Sequence, residues 1–285
     1  MKYMIEVNGI NKTYPGFSLK NVSFKVPGGC IMGLIGENGA GKSTTLKAIL
    51  DLIHLESGSV SIFGKDSRKD GELIREDIGV VMDGAGFHQS LTADEIRKFM
   101  CKIYKNWDDD YYFELLEKFS LPKNKKVKEF STGMKMKLMI TAALAHHPKL
   151  LILDEATSGL DPIVRDEILD MMLEFIQDEE HSVLISSHIT SDLEKVADYI
   201  TFIHKGEIFL SEEKDRIMEN FGIVHCSPED VKKLPVEYIV GIDQGTYRCD
   251  VLVSDREGIK EAYPELVIDR IRLEDILLFK VKGER

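Results

Sequence analysis

Gly36-Glu37-Asn38-Gly39-Ala40-Gly41-Lys42-Ser43 follows the apolar run Ile31-Met32-Gly33-Leu34-Ile35, and together they read as a buried strand, a glycine-rich turn and the start of a helix. The spacing is that of the phosphate loop, G-x-x-x-x-G-K-[ST]. Gly39 and Gly41 allow positive-φ conformations that aim successive backbone N–H groups inward. A helix opening at Lys42 turns its positive dipole end into the same hollow. Such a hollow suits a polyphosphate: the amides cradle the α- and β-phosphates, Lys42 reaches the β/γ oxygens and the Ser43 hydroxyl ligates Mg²⁺. The plainer alternative is a glycine turn that only caps a helix, and the strand-loop-helix context speaks against it.

Downstream, Leu150-Leu151-Ile152-Leu153 runs into Asp154-Glu155. Four apolar residues ending in two carboxylates are what a buried parallel strand presents where it emerges at its C-terminal edge. Asp154 is then placed to hold Mg²⁺, a hard-oxygen task, and Glu155 to polarise the water that attacks the γ-phosphate. Two acids at a strand end are unremarkable alone. Paired with an upstream phosphate loop they point to phosphoryl transfer from a nucleoside triphosphate to water.

The flanking sequence supplies the rest of an α/β fold. Ile5-Glu6-Val7, Val22 to Val26 and Val60 to Phe63 alternate between glycine and proline turns, which predicts a small antiparallel sheet around the phosphate-loop strand. Thr92 and Glu95 have capping-box spacing. Ile96, Phe99, Met100 and Ile103, then Tyr112, Leu115, Leu116 and Phe119, continue at helical spacing, and the aromatics among them are expected in the core. From Gly133 to Ser186 the order helix, strand, helix, strand signals parallel α/β architecture. Beyond about residue 216 the texture changes. Strands at Glu237 to Ile242 and Tyr247 to Val253, a short helix at Gly258 to Tyr263 and a final apolar segment at Leu273 to Phe279 suggest a small α+β extension. The expected organisation is a P-loop NTPase domain over 1–215, with a mixed sheet, an antiparallel β subdomain and a helical subdomain at about 88–148, followed by the extension at 216–285.

Composition excludes several classes. A formal charge of -12 over 285 residues argues against general nucleic-acid binding, which rests on clustered Lys and Arg. Cys30, Cys101, Cys226 and Cys249 form no C-x-x-C pair, so neither a zinc site nor a disulfide framework is signalled. No apolar stretch approaches the length of a membrane span. A reduced cytoplasmic setting is expected, with any membrane role lent by a partner. The pair His146-His147 lacks ligand-spaced companions, and a role at a helix C-terminus favoured by the dipole is expected instead.

Taken in order, the phosphate loop, Ser131-Thr132-Gly133-Met134-Lys135, Asp154-Glu155, Ser158-Gly159-Leu160-Asp161 and His188 resemble an ATP-binding cassette, the nucleotide-binding subunit of an ABC transporter. The resemblance covers residues 2 to about 215. It implies that Ser131 and Gly133 contact the γ-phosphate held by an opposite subunit and that Asp161 lies at the dimer seam. It also makes His188 the switch histidine and Tyr14 the ring that stacks on adenine. The implied nucleotide contacts are Tyr14, Gly36, Glu37, Asn38, Gly39, Ala40, Gly41, Lys42, Ser43, Thr44, Ser131, Gly133 and Asp161. Glu155, His188 and Lys42 are the implied catalytic groups, and Ser43, Asp83 and Asp154 the Mg²⁺ ligands. Three positions depart from the family pattern. Phe130-Ser131-Thr132-Gly133-Met134 replaces L-S-G-G-Q, Asp83 stands where a glutamine is usual, and Ala156 where a proline usually follows the glutamate.

The implied activity is hydrolysis of Mg-ATP by a subunit that powers a membrane transporter of ABC-2 type, which favours export. Its expected partners are a transmembrane permease and a second cassette, as homodimer or heterodimer, with no nucleic acid. It is expected to be peripheral on the inner face of the cell membrane. Phe87, His88 and Gln89 lie in the stretch where such cassettes dock their permease, and the basic run Lys123, Lys125, Lys126 and Lys128, just before the Ser131 segment, could meet an acidic coupling segment of a partner. For the basic run, plain solvated surface is the simpler reading. The alternatives are a soluble cassette ATPase acting on a non-membrane partner, and a weakly hydrolysing regulatory subunit.

Overall fold

The computed structural model describes residues 2–84, 86–245 and 248–282. Its elements run β1 Tyr3–Tyr14, β2 Phe17–Pro27, β3 Ile31–Ile35, α1 Lys42–Ile49, β4 Ser57–Ile62, β5 Lys65–Asp66, α2 Gly71–Arg75 and β6 Ile78–Val81. Next come α3 Ala93–Met100, α4 Asp109–Lys118, α5 Thr132–Leu144, β7 Leu150–Asp154, α6 Pro162–Phe175, β8 Ser182–Ser187, α7 Thr190–Val196 and β9 Tyr199–His204. The chain closes with β10 Glu207–Glu213, α8 Lys214–Asn220, β11 Gly222–Cys226, α9 Pro228–Val231, β12 Ile239–Gln244, β13 Cys249–Val253, α10 Arg256–Ala262, β14 Val267–Arg270 and α11 Leu273–Lys282. Two compact units divide between Leu210 and Ser211.

In the first unit a six-stranded sheet has the order β10-β9-β3-β8-β7-β6. The pairs β3–β8, β3–β9, β7–β8 and β6–β7 are all parallel. Every residue of β3 and β7 is buried, as strands covered on both faces must be, and the apolar runs of the sequence are the cause. The alternating segments form a different sheet, β2-β1-β4-β5. In it β1 pairs antiparallel with β2 and β4. The sequence suggested that this sheet surrounds the phosphate-loop strand; β3 instead belongs to the parallel sheet. With both faces buried, β3 has no polar face to turn to water, so a half-exposed antiparallel sheet is the wrong setting for it.

Helix α3 begins on the capping box: Thr92 Oγ1 accepts from Glu95 N at 3.3 Å, and Thr92 N donates to Glu95 Oε2 at 2.8 Å. Ile96 is buried, but Phe99 is 61% and Ile103 51% exposed. The core expectation fails for Phe99, because the residues that α3 buries are Ala93 and Ile96; Ile103 lies past the end of α3 at Met100 and leaves the helical register. Tyr112 and Phe119 are buried as expected, with Leu115 and Leu116 beside them in the sequence pattern.

His146 and His147 follow α5 directly, and His147, at φ 53° with its amide donating to the Leu144 carbonyl at 2.9 Å, closes the helix C-terminus. His146 is fully buried, stacks on Tyr104 with ring centroids 3.8 Å apart, and its Nε2 lies 3.1 Å from the Ile78 carbonyl. Burial pushes its pKa below the usual histidine value, which favours the uncharged ring. His147 instead lies 3.0 Å from Asp108, the N-cap of α4.

The second unit is built on the antiparallel sheet β12-β13-β11-β14. Val224, Val251, Val253 and Ile259 anchor its own core. Cys226 and Cys249 are cross-strand partners there, and both thiols are free. The predicted strand start at Tyr247 lies outside the described residues. The expected helix at Gly258 to Tyr263 starts earlier, at Arg256, and the last apolar segment is helical.

Candidate active site

The loop from Gly36 to Ser43 leaves the end of β3 and enters α1. Gly39 has φ 82° and Gly41 φ 116°, conformations that a side chain disfavours. At Gly41 a Cβ would also come within 2.9 Å of Phe17 Cζ and Leu19 Cδ2. The loop is therefore pinned between the left-handed turn and the β1–β2 hairpin. The turn after β9 braces it from another side: Gly206 N donates to the Ala40 carbonyl at 2.9 Å. His204 Nδ1 lies 3.0 Å from Glu37 Oε1, at ion-pair distance without hydrogen-bond alignment.

Lys42 is buried, and its Nζ donates to the Gly36 carbonyl at 2.7 Å and the Glu37 carbonyl at 3.3 Å. The same Nζ is 3.1 Å from Glu155 Oε1, and the two side chains are 6% and 11% exposed. A lysine and a glutamate this deep stabilise each other only as partners, so removing either leaves a costly lone charge. Glu155 Oε2 is 2.7 Å from His188 Nδ1. Since a carboxylate only accepts, that nitrogen carries the proton and Nε2 is left for another contact. Three residues predicted as catalytic thus meet at one carboxylate.

Glu155 reaches this position because its backbone is left-handed, φ 53°. Its amide is held by the Ser186 carbonyl and hydroxyl, each at 3.1 Å. The Ser186 hydroxyl donates to Asp154 Oδ1 at 2.6 Å. One residue of β8 therefore fixes both acids at the end of β7. Asp154 is 1% exposed, and its Oδ2 is buried with no hydrogen-bond partner. A buried carboxylate oxygen left unpaired is costly, and a hard cation or a cation-bound water is the partner it fits. The donor set here therefore suits Mg²⁺.

Two cavities of about 430 Å³ open beside these groups. Tyr14, Phe17, Ser18, Glu37 to Ala40 and Lys205 line one, with Tyr14 39% exposed and Lys12 Nζ 5.2 Å from its ring centroid. The other is lined by Asp83, Thr132, Lys135, Met139, Glu155 and Ser158. Asp83 is exposed there and shares a wall with Glu155.

Ser131 and Asp161 are exposed N-caps. Ser131 Oγ accepts from Met134 N at 3.2 Å to start α5, and Asp161 Oδ1 accepts from Val164 N at 3.1 Å to start α6. Gly133 is buried, and a Cβ on it would stand 3.0 Å from Val164 Cγ1. Ser186 and His204 were missed in the sequence. For Ser186 a signal existed, because Ser186-Ser187 is a polar pair ending an otherwise apolar buried strand.

The family model described as ABC transporter matches residues 19–158. The lantibiotic transport ATP-binding protein SrtF of Streptococcus pyogenes is 38% identical over 74% of this chain and 92% of its own length. The bacitracin transport ATP-binding protein BcrA of Bacillus licheniformis is 37% identical over 73% and 69%. The ABC transporter ATP-binding protein YtrB of Bacillus subtilis (strain 168) is 28% identical over 99% of both chains. Among solved structures, the ATP-binding subunit of an ABC transporter superposes with a TM-score of 0.67 at 30% identity, covering 76% of this chain and 92% of that one. With relatives of this identity aligned along most of their length and the same fold around the phosphate loop, the chain belongs to the ATP-binding proteins of the ABC transporters, which hydrolyse ATP to drive transport.

Proposed function

We propose that this chain is the ATPase subunit of a membrane exporter and that its working site is composite, the phosphate loop of one subunit facing the Ser131 segment of another. The observation that carries the reading is the convergence of Lys42 and His188 on Glu155 at the mouth of the loop. Exposed caps at Ser131 and Asp161 support the composite site, since an exposed serine hydroxyl at a helix N-terminus is a good contact for an anion brought by a partner.

In this reading the loop amides and Lys42 bind the phosphates, and Tyr14 covers the base. Glu155 holds the attacking water, and His188, its Nδ1–H fixed on Glu155, presents Nε2 to the terminal phosphate. Ser43, Asp154 and Asp83 are the residues that would hold Mg²⁺. When bound, that cation offsets charge building on the β- and γ-oxygens.

A permease partner is supported by two features. Phe87, His88, Gln89, Ser90, Lys126 and Lys128 line an open hollow of about 500 Å³. A neighbouring apolar hollow of about 220 Å³ includes Val80, Met82, Phe87, Met100, Tyr104 and Met139. No helix among the described residues is long and apolar enough to cross a membrane, so such a partner would supply the membrane path and hold this chain at the inner face. The relatives named for bacitracin and lantibiotic transport support the outward direction.

Glu155→Gln is expected to keep ATP bound, to lower turnover by about 100-fold or more and to trap a dimer seen by size exclusion with Mg-ATP. Turnover at the wild-type rate would overturn the assignment.

A further inference from the structure

Helix α6 lies between the two segments that the composite site needs to move together. Its N-cap is Asp161, and it packs on α7, the helix that follows His188. Three charged pairs join it to its neighbours. Lys137 of α5, itself buried, pairs with Glu167 of α6. Asp166 of α6 pairs with Lys195 of α7 at 2.8 Å, on the surface. Beneath that bridge Asp192 of α7 is 2% exposed, and its Oδ2 faces Arg165 Nε at 3.7 Å. Neither of these two buried atoms has a hydrogen-bond partner. Arg165 Nη2 also points at the Leu160 carbonyl, 3.4 Å away, just before Asp161.

We propose that Arg165 and Asp192 are positioning residues, a buried pair that ties the Leu160–Asp161 turn to the helix behind His188, so that the subunit-seam contact and the γ-phosphate contact form together. The inference rests on the reading of Asp161 and His188 given above.

The physical argument starts from Asp192. A carboxylate at 2% exposure is costly without a cation beside it, and Arg165 stands at 3.7 Å while Lys195 is engaged by Asp166. At 3.7 Å with two unsatisfied atoms the pair is close but unclosed. A small rotation of α6 against α7 would bring Nε and Oδ2 into bonding distance. The guanidinium is a rigid fork, so that rotation also carries its Nη2 grip on the Leu160 carbonyl. Closing the ion pair and reorienting the turn that bears Asp161 are then one movement. Glu167–Lys137 extends the same strut to the helix capped by Ser131.

The test is a double-mutant cycle in the full chain with its transport partner or as isolated ATPase, measuring kcat, nucleotide Kd, the Hill coefficient for ATP and the melting temperature. Arg165→Gln and Asp192→Asn are each expected to lower kcat about tenfold with Kd within about twofold and the Hill coefficient moving toward one. The double variant should be no worse than either single, as for groups that act as a unit. Arg165→Lys keeps the charge and the fold but not the fork, and it is expected to show the same kcat loss at wild-type melting temperature. Wild-type kcat and Hill coefficient in Arg165→Lys, or a double variant whose loss is the product of the singles, would overturn the proposal. Glu155→Gln separates the levels: if it abolishes turnover while Arg165→Lys is fully active, only the coupling falls, and if it turns over normally both readings fall.

Discussion

The parallel sheet before Leu210 and the antiparallel sheet after Ser211 bury their central strands alike, since β7 is buried at all five positions and β13 at four of five. They differ in where their polar residues end up. In the parallel sheet β9, β3, β8, β7 and β6 all deliver their C-terminal ends to one edge, so Gly36 after β3, Asp154 and Glu155 at β7, Ser186 and His188 at β8 and Asp83 after β6 collect there. In the antiparallel sheet successive strand ends point opposite ways, and polar groups lie along a face instead. His225 sits there between Asp250 at 2.7 Å and Asp269 at 2.8 Å, with Arg248 alongside. Side chains on a face satisfy one another; those gathered at an edge leave Asp154 Oδ2 without a partner. Topology, more than composition, decides which sheet does chemistry.

The sharpest way to break this contrast is to remove one carboxylate charge from each sheet. Glu155→Gln is expected to lower turnover by about 100-fold or more, while Asp250→Asn should leave it unchanged; an equal loss in both would end the comparison. Burial, by contrast, should weigh the same in both. Ile152→Ala and Val251→Ala each remove a fully buried aliphatic group, and chemical denaturation should show losses of about 2–5 kcal/mol for the isoleucine and somewhat less for the smaller valine. A subtler probe of the parallel edge is Ser186→Ala, which deletes the hydroxyl that holds Asp154 and the Glu155 amide. About a tenfold loss of kcat with little change in melting temperature would confirm that these bonds orient rather than stabilise.

The smallest expected effect concerns pH. His146 Nε2 donates to the Ile78 carbonyl, so an added proton would go to Nδ1, which is buried with no partner. Burial accordingly lowers the folded-state pKa below the unfolded value. Between the two values the unfolded chain binds the proton and the folded chain does not, so the contribution of His146 is complete above the unfolded pKa and falls as the pH drops toward the folded one. The stability gap between the wild type and His146→Asn should therefore narrow from pH 7.5 to pH 5.5, by at most about 1.4 kcal/mol per pH unit. A gap that widened on acidification would refute this.

What was legible in the sequence is what spacing encodes. The phosphate loop, the acids ending β7 and the Thr92–Glu95 box are local, and each sits where the pattern put it. The contacts among Lys42, Glu155 and His188 join residues far apart in sequence. Composition and period carry no trace of them, and only resemblance suggested the grouping. Ser186 was half legible as a polar end to an apolar strand. The Arg165–Asp192 pair was not, because an arginine and an aspartate on separate helices look like any solvated residues until burial is known. Phe99 misled for the converse reason: helical spacing says which residues share a face, but not how far the neighbouring elements extend to cover it. In the second unit β14, Val267–Arg270, is half polar and short, which leaves little period to read.

The left-handed backbone at Glu155 has a consequence for how this protein can be improved. Holding a non-glycine residue at φ 53° costs about 1–2 kcal/mol, and the cost is met so that the carboxylate points where it does. Glycine or asparagine at that position would relax the turn but leave Lys42 buried without its carboxylate, a loss larger than the strain relieved, so this backbone cost cannot be engineered away without disturbing the phosphate loop.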